Sequence, residues 1–284
     1  MNHRLHWTPF FDDPQRDVPA VIRRVIQEGT VVGRTEVELV DSVGIPRLET
    51  AKALAAGATP LRYLVIVATD SSNDSIAGNV YSAIPFCADG EVVELEVCEV
   101  SPDTELPTLE GNLQLAQSEG GLLWATDPFF FVNRSRYRIG DVLRFRVAGV
   151  AYTMKKAKDS VLETDRPELV EAQRRRMKLL DPAAETDKIT SVRVYLRGSR
   201  MLLPDPDDPW RGSTFRGPVE AVQTFELDGM EIVGCSVGVK GGHLQPLTAR
   251  IFVPAAKLGG YRPKVGDEVE GAVWLQAYPS DRTG

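Results

Sequence analysis

Three histidines and three cysteines are the side chains best suited to bind a metal ion or to act as nucleophiles and bases. His3 and His6 lie at the start of the chain and His243 follows two glycines, while the cysteines are far apart, with no Cys-x-x-Cys pair. A zinc site needs four converging nitrogen or sulfur ligands, which are usually delivered in close pairs. The sequence also has no Walker loop and no Gly-x-Gly-x-x-Gly pattern. We therefore predict no metal site, no cofactor, no nucleophile elbow and no catalytic residue.

A proline- and aspartate-rich segment, residues 203–213, can only form a loop, because it has three prolines in eleven residues. Asp205 and Asp207 alternate as in a calcium loop, but the intervening prolines and the missing glycine and glutamate oppose that reading. We interpret the acids as solvated. Trp210 and Arg211 are of the types that dominate binding hot spots. We therefore select Trp210 and Arg211 as candidate binding residues.

Two basic clusters are the candidates for binding a phosphate backbone: Lys155, Lys156 and Lys158, followed by Arg174, Arg175, Arg176 and Lys178. Glu168 and Glu171 precede the arginines at spacings that suit intrahelical ion pairs. The net charge of −7 opposes phosphate binding unless the charge is strongly segregated. We interpret the arginines as a solvated helix face and keep Arg174, Arg175 and Arg176 as candidate binding residues of a nucleic-acid alternative.

Three consecutive phenylalanines, Phe129 to Phe131, cannot all point the same way from a strand or a helix. We expect one or two of them to pack inside a β-module. The remainder should seal that module against its neighbour or against the N-terminal region. An exposed interaction patch is the alternative interpretation.

The composition is that of a folded chain. Its 284 residues are 43% hydrophobic and 26% charged, a length that favours two domains. No run approaches the ~18 apolar residues of a membrane span, and the first residues lack the apolar core of a signal peptide. Cys87, Cys98 and Cys235 suggest a reducing compartment without a disulfide framework. We expect a cytoplasmic protein that is not bound to a membrane.

The periodicity of apolar residues changes along the chain. Residues 1–60 read as helical, with one helix from Asp17 to Gly29 and a second over 46–56. From Tyr63 to Thr153 the period is two, as in β-strands. A linking helix is predicted within 159–186, and strands follow again. Asp228-Gly229 joins two of these strands and predicts a hairpin with a type I′ turn.

An internal repeat is the strongest organising signal. Residues 128–152 and 254–278 align without a gap at a constant offset of 126, with seven of 25 positions identical. Both copies contain a Gly-Asp turn and end in Ala-Tyr. Upstream, Gly90 is aligned with Gly217, and the segment 203–213 has no counterpart in the first copy. We name residues 203–213 the inserted loop.

Two copies of a five-stranded antiparallel module resemble the architecture of small OB-like β-barrels. The predicted class is mainly β (α+β): an N-terminal helical region (1–60) packed on a first barrel (61–158), a linking helix (159–186) and a second barrel (187–284).

These observations favour a non-catalytic binding or interaction protein. A protein partner is left open, nucleic acid is disfavoured, and the oligomeric state is not addressed by the sequence. Single-stranded nucleic-acid binding through the 155–178 face is one alternative. An enzyme that uses carboxylates on an unknown substrate is the other, because the separation of acids in space cannot be read from the sequence.

Overall fold

The protein is described here by a computed structural model, which places residues 3–40, 45–70, 78–117, 121–158, 161–165, 167–240 and 247–281. The chain divides into two compact units. The larger unit comprises Met1–Lys156 with Arg200–Gly284, and the smaller comprises Ala157–Ser199. Among the described residues, no helix combines the length and the apolar composition needed to cross a membrane.

The described elements are mostly strands. The helices are α1 (Arg4–Trp7), α2 (Pro14–Glu28), α3 (Phe130–Asn133) and α4 (Pro167–Leu180), with short 3-10 turns at Arg134–Arg136, Thr186–Lys188 and Ala255–Leu258. The first strands are β1 (Thr30–Val40), β2 (Pro46–Ala56), β3 (Leu61–Asp70), β4 (Asn79–Cys87), β5 (Glu91–Pro102), β6 (Gly111–Ala116), β7 (Leu122–Thr126) and β8 (Val142–Lys156). The remaining strands are β9 (Val161–Thr164), β10 (Val192–Tyr195), β11 (Met201–Pro204), β12 (Ser213–Leu227), β13 (Met230–Lys240), β14 (Leu247–Pro254) and β15 (Glu268–Pro279).

Two five-stranded barrels share a pair of long strands. Nine strands follow the order β11-β12-β13-β14-β8-β15-β7-β6-β5, and additional pairings join β12 to β15 and β5 to β8. One closed ring is therefore β5-β6-β7-β15-β8, and the other is β12-β13-β14-β8-β15. Each barrel takes its fifth strand from the other half, through the parallel pairs β7–β15 and β14–β8. The predicted fold class, mainly β with two duplicated OB-like barrels, is confirmed. The prediction of five antiparallel strands in each copy is wrong in detail, because each copy supplies four strands to its barrel and each barrel contains one parallel pair.

The sequence repeat is also a repeat of strand pairing. Phe252 pairs with Val150, and Thr126 pairs with Gln276, which are the equivalent positions at the offset of 126. The Gly-Asp turns repeat as well. Gly140 and Gly266 have φ angles of 91° and 87°, and their N–H groups donate to Val97 O and Val219 O, both at 2.9 Å. Only glycine adopts such angles without strain, so both copies retain it.

The upstream alignment of the repeat is wrong by several residues. Glu91 pairs with Val147 and Ser213 pairs with the equivalent Val273, so β5 and β12 begin at corresponding positions. Gly90 therefore corresponds to Gly212, not to Gly217. The prediction that residues 203–213 form only a loop is wrong at its ends, because Leu203 and Pro204 end β11 and pair with Thr214 and Ser213 of β12. The rest of the inserted loop, residues 205–212, immediately precedes the first barrel strand of the second copy.

The predicted second helix over 46–56 is wrong. These residues form β2, which lies between β1 and β3 in a four-stranded antiparallel sheet. Its alanines and Leu54 favour a helix intrinsically, but a central strand has neighbours on both edges, and six consecutive residues from Thr50 to Ala55 are buried. Tertiary pairing overrides local propensity here. The N-terminal region therefore contains two helices, α1 and α2, followed by two strands, β1 and β2.

The first helix is confirmed, with different ends. It begins after Asp13, whose side chain accepts a hydrogen bond from Arg16 N–H. The N-cap is therefore Asp13, followed by Pro14 in the first turn, four residues before the predicted N-cap Asp17. Gly29 has an extended φ of −71° rather than a left-handed one. A Cβ at Gly29 would lie 2.3 Å from Val25 O, so a close approach, not the turn conformation, requires glycine there.

The predicted module boundaries differ from the observed pairing. β3 and β4 belong to the four-stranded sheet rather than to the first barrel. β10 pairs with β9 in the smaller unit rather than with the second barrel, and the predicted linking helix is α4 of that unit. A short apolar run predicts a strand but not the sheet that the strand joins, so the sequence does not define the boundaries of the modules.

Two local predictions are confirmed. Asp228 and Gly229 both have positive φ, 53° and 75°, and connect β12 to β13 as a two-residue hairpin. Phe130 packs in the core of the barrels, while Phe129 and Phe131 pack in the core formed with the four-stranded sheet. All three rings are buried, which removes the interpretation as an exposed patch.

Candidate ligand cavity

A cavity of about 420 Å³ opens in the larger unit, beside the inserted loop. Four segments form its walls: α1 with the residue before it, the connection from β5 to β6, the end of β7 and the inserted loop. The lining residues used below are His3, His6, Asp103, Glu105, Glu110, Asn112, Thr126, Asp208, Trp210 and Arg211. Both candidate residues of the inserted loop, Trp210 and Arg211, therefore reach the same cavity.

His6 is the most constrained side chain of this cavity. Its ring stacks on the indole of Trp274, with centroids 3.8 Å apart and planes at 9°, and only 8% of the residue is exposed. Its Nδ1 lies 2.7 Å from the Tyr152 hydroxyl. That hydroxyl in turn donates to Arg211 O at 2.9 Å. We name this chain of hydrogen bonds the His6 relay, because it connects α1, β8 and the inserted loop.

The His6 relay fixes the protonation of the imidazole. The Tyr152 hydroxyl has one proton, which goes to Arg211 O, so it must accept from Nδ1–H of His6. Nε2 of the neutral ring is therefore an acceptor. No described residue donates a hydrogen bond to Nε2, although the ring lines the cavity.

Electrostatics keep His6 neutral. Burial lowers the pKa of His6 well below 6.5, and the positive potentials of His3 and Arg211 lower this pKa further. Burial raises the pKa of the Tyr152 hydroxyl, so the phenol also stays protonated. The His6 relay is thus uncharged at neutral pH.

Acidic side chains form much of the rest of the cavity lining. Asp103 Oδ1 accepts from the N–H groups of Glu105 and Leu106 at 2.8 and 2.9 Å, and Asp208 Oδ1 accepts from Trp210 N–H at 3.1 Å. These bonds hold each carboxylate in place by one oxygen and leave the second without a described hydrogen-bond donor. Glu110 pairs with His3 across 2.8 Å.

The floor of the cavity is held by a short polar chain. Trp274 Nε1 donates to Thr126 Oγ1 at 3.0 Å, and Thr126 Oγ1 donates to Asn112 Oδ1 at 2.8 Å. In the other half of the repeat, the position of Thr126 is occupied by Phe252, a buried residue whose ring packs on Phe225. The polar floor therefore exists in only one of the two copies.

Sequence reasoning missed His3 and His6 as cavity residues. They were considered only as metal ligands, for which they lack partners. His3 and His6 are three positions apart at the start of α1, a spacing that places two side chains on one face of a helix, and their ring centroids are 5.4 Å apart. The signal was present, but nothing in the sequence indicates that the face would cover Trp274. His243, the third histidine, lies outside the described residues.

The arginines of α4 belong to the smaller unit. Arg174 donates to Ile189 O from Nε and Nη2, at 3.2 and 2.9 Å, and Arg175 pairs with Glu171 one turn earlier, at 3.6 Å. In the larger unit, Lys155 and Lys156 pair with Glu270 and Asp267. These partners reduce the positive charge that the 155–178 face offers to phosphate.

The prediction of no nucleophile elbow overlooked one Gly-x-Ser-x-Gly motif, Gly234-Cys235-Ser236-Val237-Gly238. It lies in the middle of β13, not at a strand-to-helix turn, and Ser236 is buried with its hydroxyl donating to Glu91 at 2.6 Å. The pattern therefore lacks the exposed geometry of an elbow. Among the described residues, no group of three or more histidine, cysteine, aspartate or glutamate side chains is arranged to hold a metal ion.

Comparisons with known proteins identify little. No family model matches the chain, and no curated protein matches it. Among solved structures, the chain is similar to the cytoplasmic molybdate-binding protein ModG, in a crystal form with molybdate bound. The match has 12% sequence identity and a TM-score of 0.30, and it covers 66% of this chain and 94% of ModG.

Proposed function

We propose that this chain is a non-catalytic binding protein that takes a small polar ligand into the cavity beside the inserted loop. The observation that carries the proposal is the acceptor Nε2 of His6, which lines the cavity without a described donor. Nε2 is not among the described buried polar atoms that lack a partner, so it is open to the cavity, and a ligand that donates a hydrogen bond to it gains affinity.

The inserted loop supports the same proposal. Trp210 is half-buried and its ring contacts no other aromatic ring of the described residues. The Arg211 guanidinium is exposed and has no ion pair or hydrogen bond with a described residue, while its backbone is held by Tyr152. A fixed backbone with an uncommitted aromatic ring and cation is an arrangement suited to binding.

The interaction is proposed for a small molecule rather than for nucleic acid. The ion pairs of Lys155, Lys156 and Arg175 disfavour the nucleic-acid alternative. An enzyme built on the cavity carboxylates stays a hypothesis without an assigned substrate, and the cytoplasmic location stays a prediction of the sequence.

Ligand-observed NMR of the full chain tests the proposal against a panel of neutral, cationic and anionic metabolites. We expect at least one compound to show saturation transfer with the wild type and to lose it in Trp210→Ala. Tyr195→Ala removes an aromatic ring that is 71% exposed in the smaller unit and is the matched control. Absence of binding, or binding that Trp210→Ala leaves unchanged, would contradict the proposal.

A further inference from the structure

The charges of the cavity identify the class of ligand. Four of the lining residues are acidic: Asp103, Glu105, Glu110 and Asp208. Arg211 also lines the cavity, and no described acid forms an ion pair with it. His3 is engaged by Glu110. The cavity therefore has an excess of negative charge, which raises the local concentration of cations and repels anions.

The hydrogen-bonding groups of the cavity also favour a cationic ligand. Oδ2 of Asp103, Oδ2 of Asp208 and Nε2 of His6 are three acceptors without a described donor. Two of them belong to carboxylates, whose bonds to charged donors are roughly twice as strong as neutral ones. A ligand rich in N–H donors satisfies all three.

Trp210 provides the surface against which such a ligand packs. An indole face attracts an ammonium group within about 6 Å of the ring centre. Arg211 has a second effect, because its charge helps to keep His6 neutral and therefore an acceptor.

We propose that the cavity selects a small organic cation with ammonium N–H donors, bound between Trp210, His6 and the carboxylates of Asp103 and Asp208. This inference rests on the proposed function and assigns its ligand class. Neutral polyols lack the charge that the carboxylates favour, and dicarboxylates are repelled by them.

A series of four-carbon compounds tests the ligand class with size held constant: putrescine, butane-1,4-diol and succinate. The readout is the indole N–H spectrum of the ¹⁵N-labelled full chain at pH 7.5, in which the Trp210 signal is identified by its loss in Trp210→Phe. We expect putrescine to shift the Trp210 signal, and the diol and succinate to leave it unchanged. The putrescine dissociation constant should rise with ionic strength.

Aspartate-to-asparagine variants test which carboxylates bind the ammonium groups of the ligand. Asn retains an Oδ1 acceptor for the turn at residue 103 or 208, so Asp103→Asn and Asp208→Asn should keep the loops folded. Each should weaken putrescine about tenfold, the loss of one charge-assisted bond. Asp207→Asn removes an exposed acid of the same inserted loop that does not line the cavity, and should leave the affinity unchanged.

Two results would contradict the proposed ligand class, and they have different consequences for the proposed binding in the cavity. If the diol or succinate shifts the Trp210 signal and putrescine does not, the ligand class is wrong while binding in the cavity is supported. If none of the three shifts it, or if Asp207→Asn weakens putrescine as much as Asp208→Asn, the assignment to this cavity fails. The wider metabolite panel then decides the proposed function separately.

Discussion

Among single residues, the proposed binding depends most on a neutral histidine, His6. His6 is enclosed by Trp274 and Tyr152, and its pKa is lowered by burial and by the nearby charges of His3 and Arg211. The cost of charging this ring is a property of the folded state alone. It therefore makes the stability of the chain depend on pH.

Stability should fall as the pH drops below 6.5. The unfolded chain binds a proton at His6 near the ordinary pKa of 6.5, whereas the folded chain does so only at the lowered pKa. Between these values the unfolded state holds more protons, so the free energy of unfolding decreases by up to about 1.4 kcal/mol per pH unit. Urea unfolding between pH 7.5 and 5.5 measures the slope, which His6→Asn should reduce and His3→Asn should retain. Equal slopes in wild type and His6→Asn would contradict the burial of a neutral ring.

The Tyr152 hydroxyl should contribute to stability through both of its hydrogen bonds. Tyr152→Phe leaves His6 Nδ1 without its acceptor and Arg211 O without its donor, and we expect a loss of about 1–3 kcal/mol in the free energy of unfolding. Tyr195→Phe, at an exposed position, is the control and should cost little. Urea titrations at pH 7.5 compare them. Equal stability of the two variants would show that the His6 relay is absent in solution.

At the scale of elements, the two shared strands are the centre of the fold. β8 and β15 run antiparallel, and Gly149 pairs with Leu275, its own equivalent in the repeat. A Cβ at Gly149 would lie 2.6 Å from a methyl carbon of Val273 and 2.7 Å from Trp274 O. Only one of the two strands has room for a side chain at this position, so the copies diverged there.

Gly149→Ala should therefore destabilise both barrels together. The added methyl group forces β8 away from β15, and we expect a cost of roughly 1–3 kcal/mol, typical of overpacking. A single cooperative urea transition shifted to lower denaturant would fit the shared strands. A variant as stable as the wild type, or one that unfolds in two separate steps, would contradict the close approach.

The sequence predicts elements with local causes better than it predicts their partners. The Asp228-Gly229 hairpin, the 126-residue repeat and the burial of Phe129 to Phe131 follow from turn chemistry, self-similarity and hydrophobicity. β2 was assigned as a helix because its alanines favour one and its sheet neighbours are decided by tertiary contacts. The sharing of β8 and β15 by both barrels has no local signal in the sequence, because the strand pattern of each copy is also compatible with a barrel formed by that copy alone.

The sequence predicts the residues of the candidate site that have a local signal and misses those that depend on distant contacts. Trp210 and Arg211 stand out by residue type in a loop that only one copy contains. The role of His6 depends on stacking against Trp274, a residue 268 positions away in the chain. No pattern within α1 encodes that contact, so only the structure brings the two together.

At the scale of the whole molecule, the barrels close without the smaller unit. Every strand of the two rings belongs to the larger unit, and β9 pairs only with β10 among the described strands. The cavity is also lined entirely by residues of the larger unit. Residues 157–199 are therefore an insertion between β8 and β11 with regard to both folding and the proposed binding.

Replacing residues 157–199 with a flexible Gly/Ser linker should leave the larger unit folded. Its circular dichroism should stay that of a β protein, and its urea transition should stay cooperative, because no barrel strand is removed. Putrescine affinity, measured by the Trp210 indole signal, should also be retained. Unfolding of the shortened chain would show that the smaller unit is required by the barrels.

A crystal structure of the full chain grown with putrescine at pH 7.5 would show whether the cavity beside the inserted loop binds the diamine. We expect density for the diamine between Trp210 and the carboxylates of Asp103 and Asp208, with an ammonium group within hydrogen-bond distance of His6 Nε2. A cavity that contains only ordered water, or a diamine bound elsewhere, would contradict it.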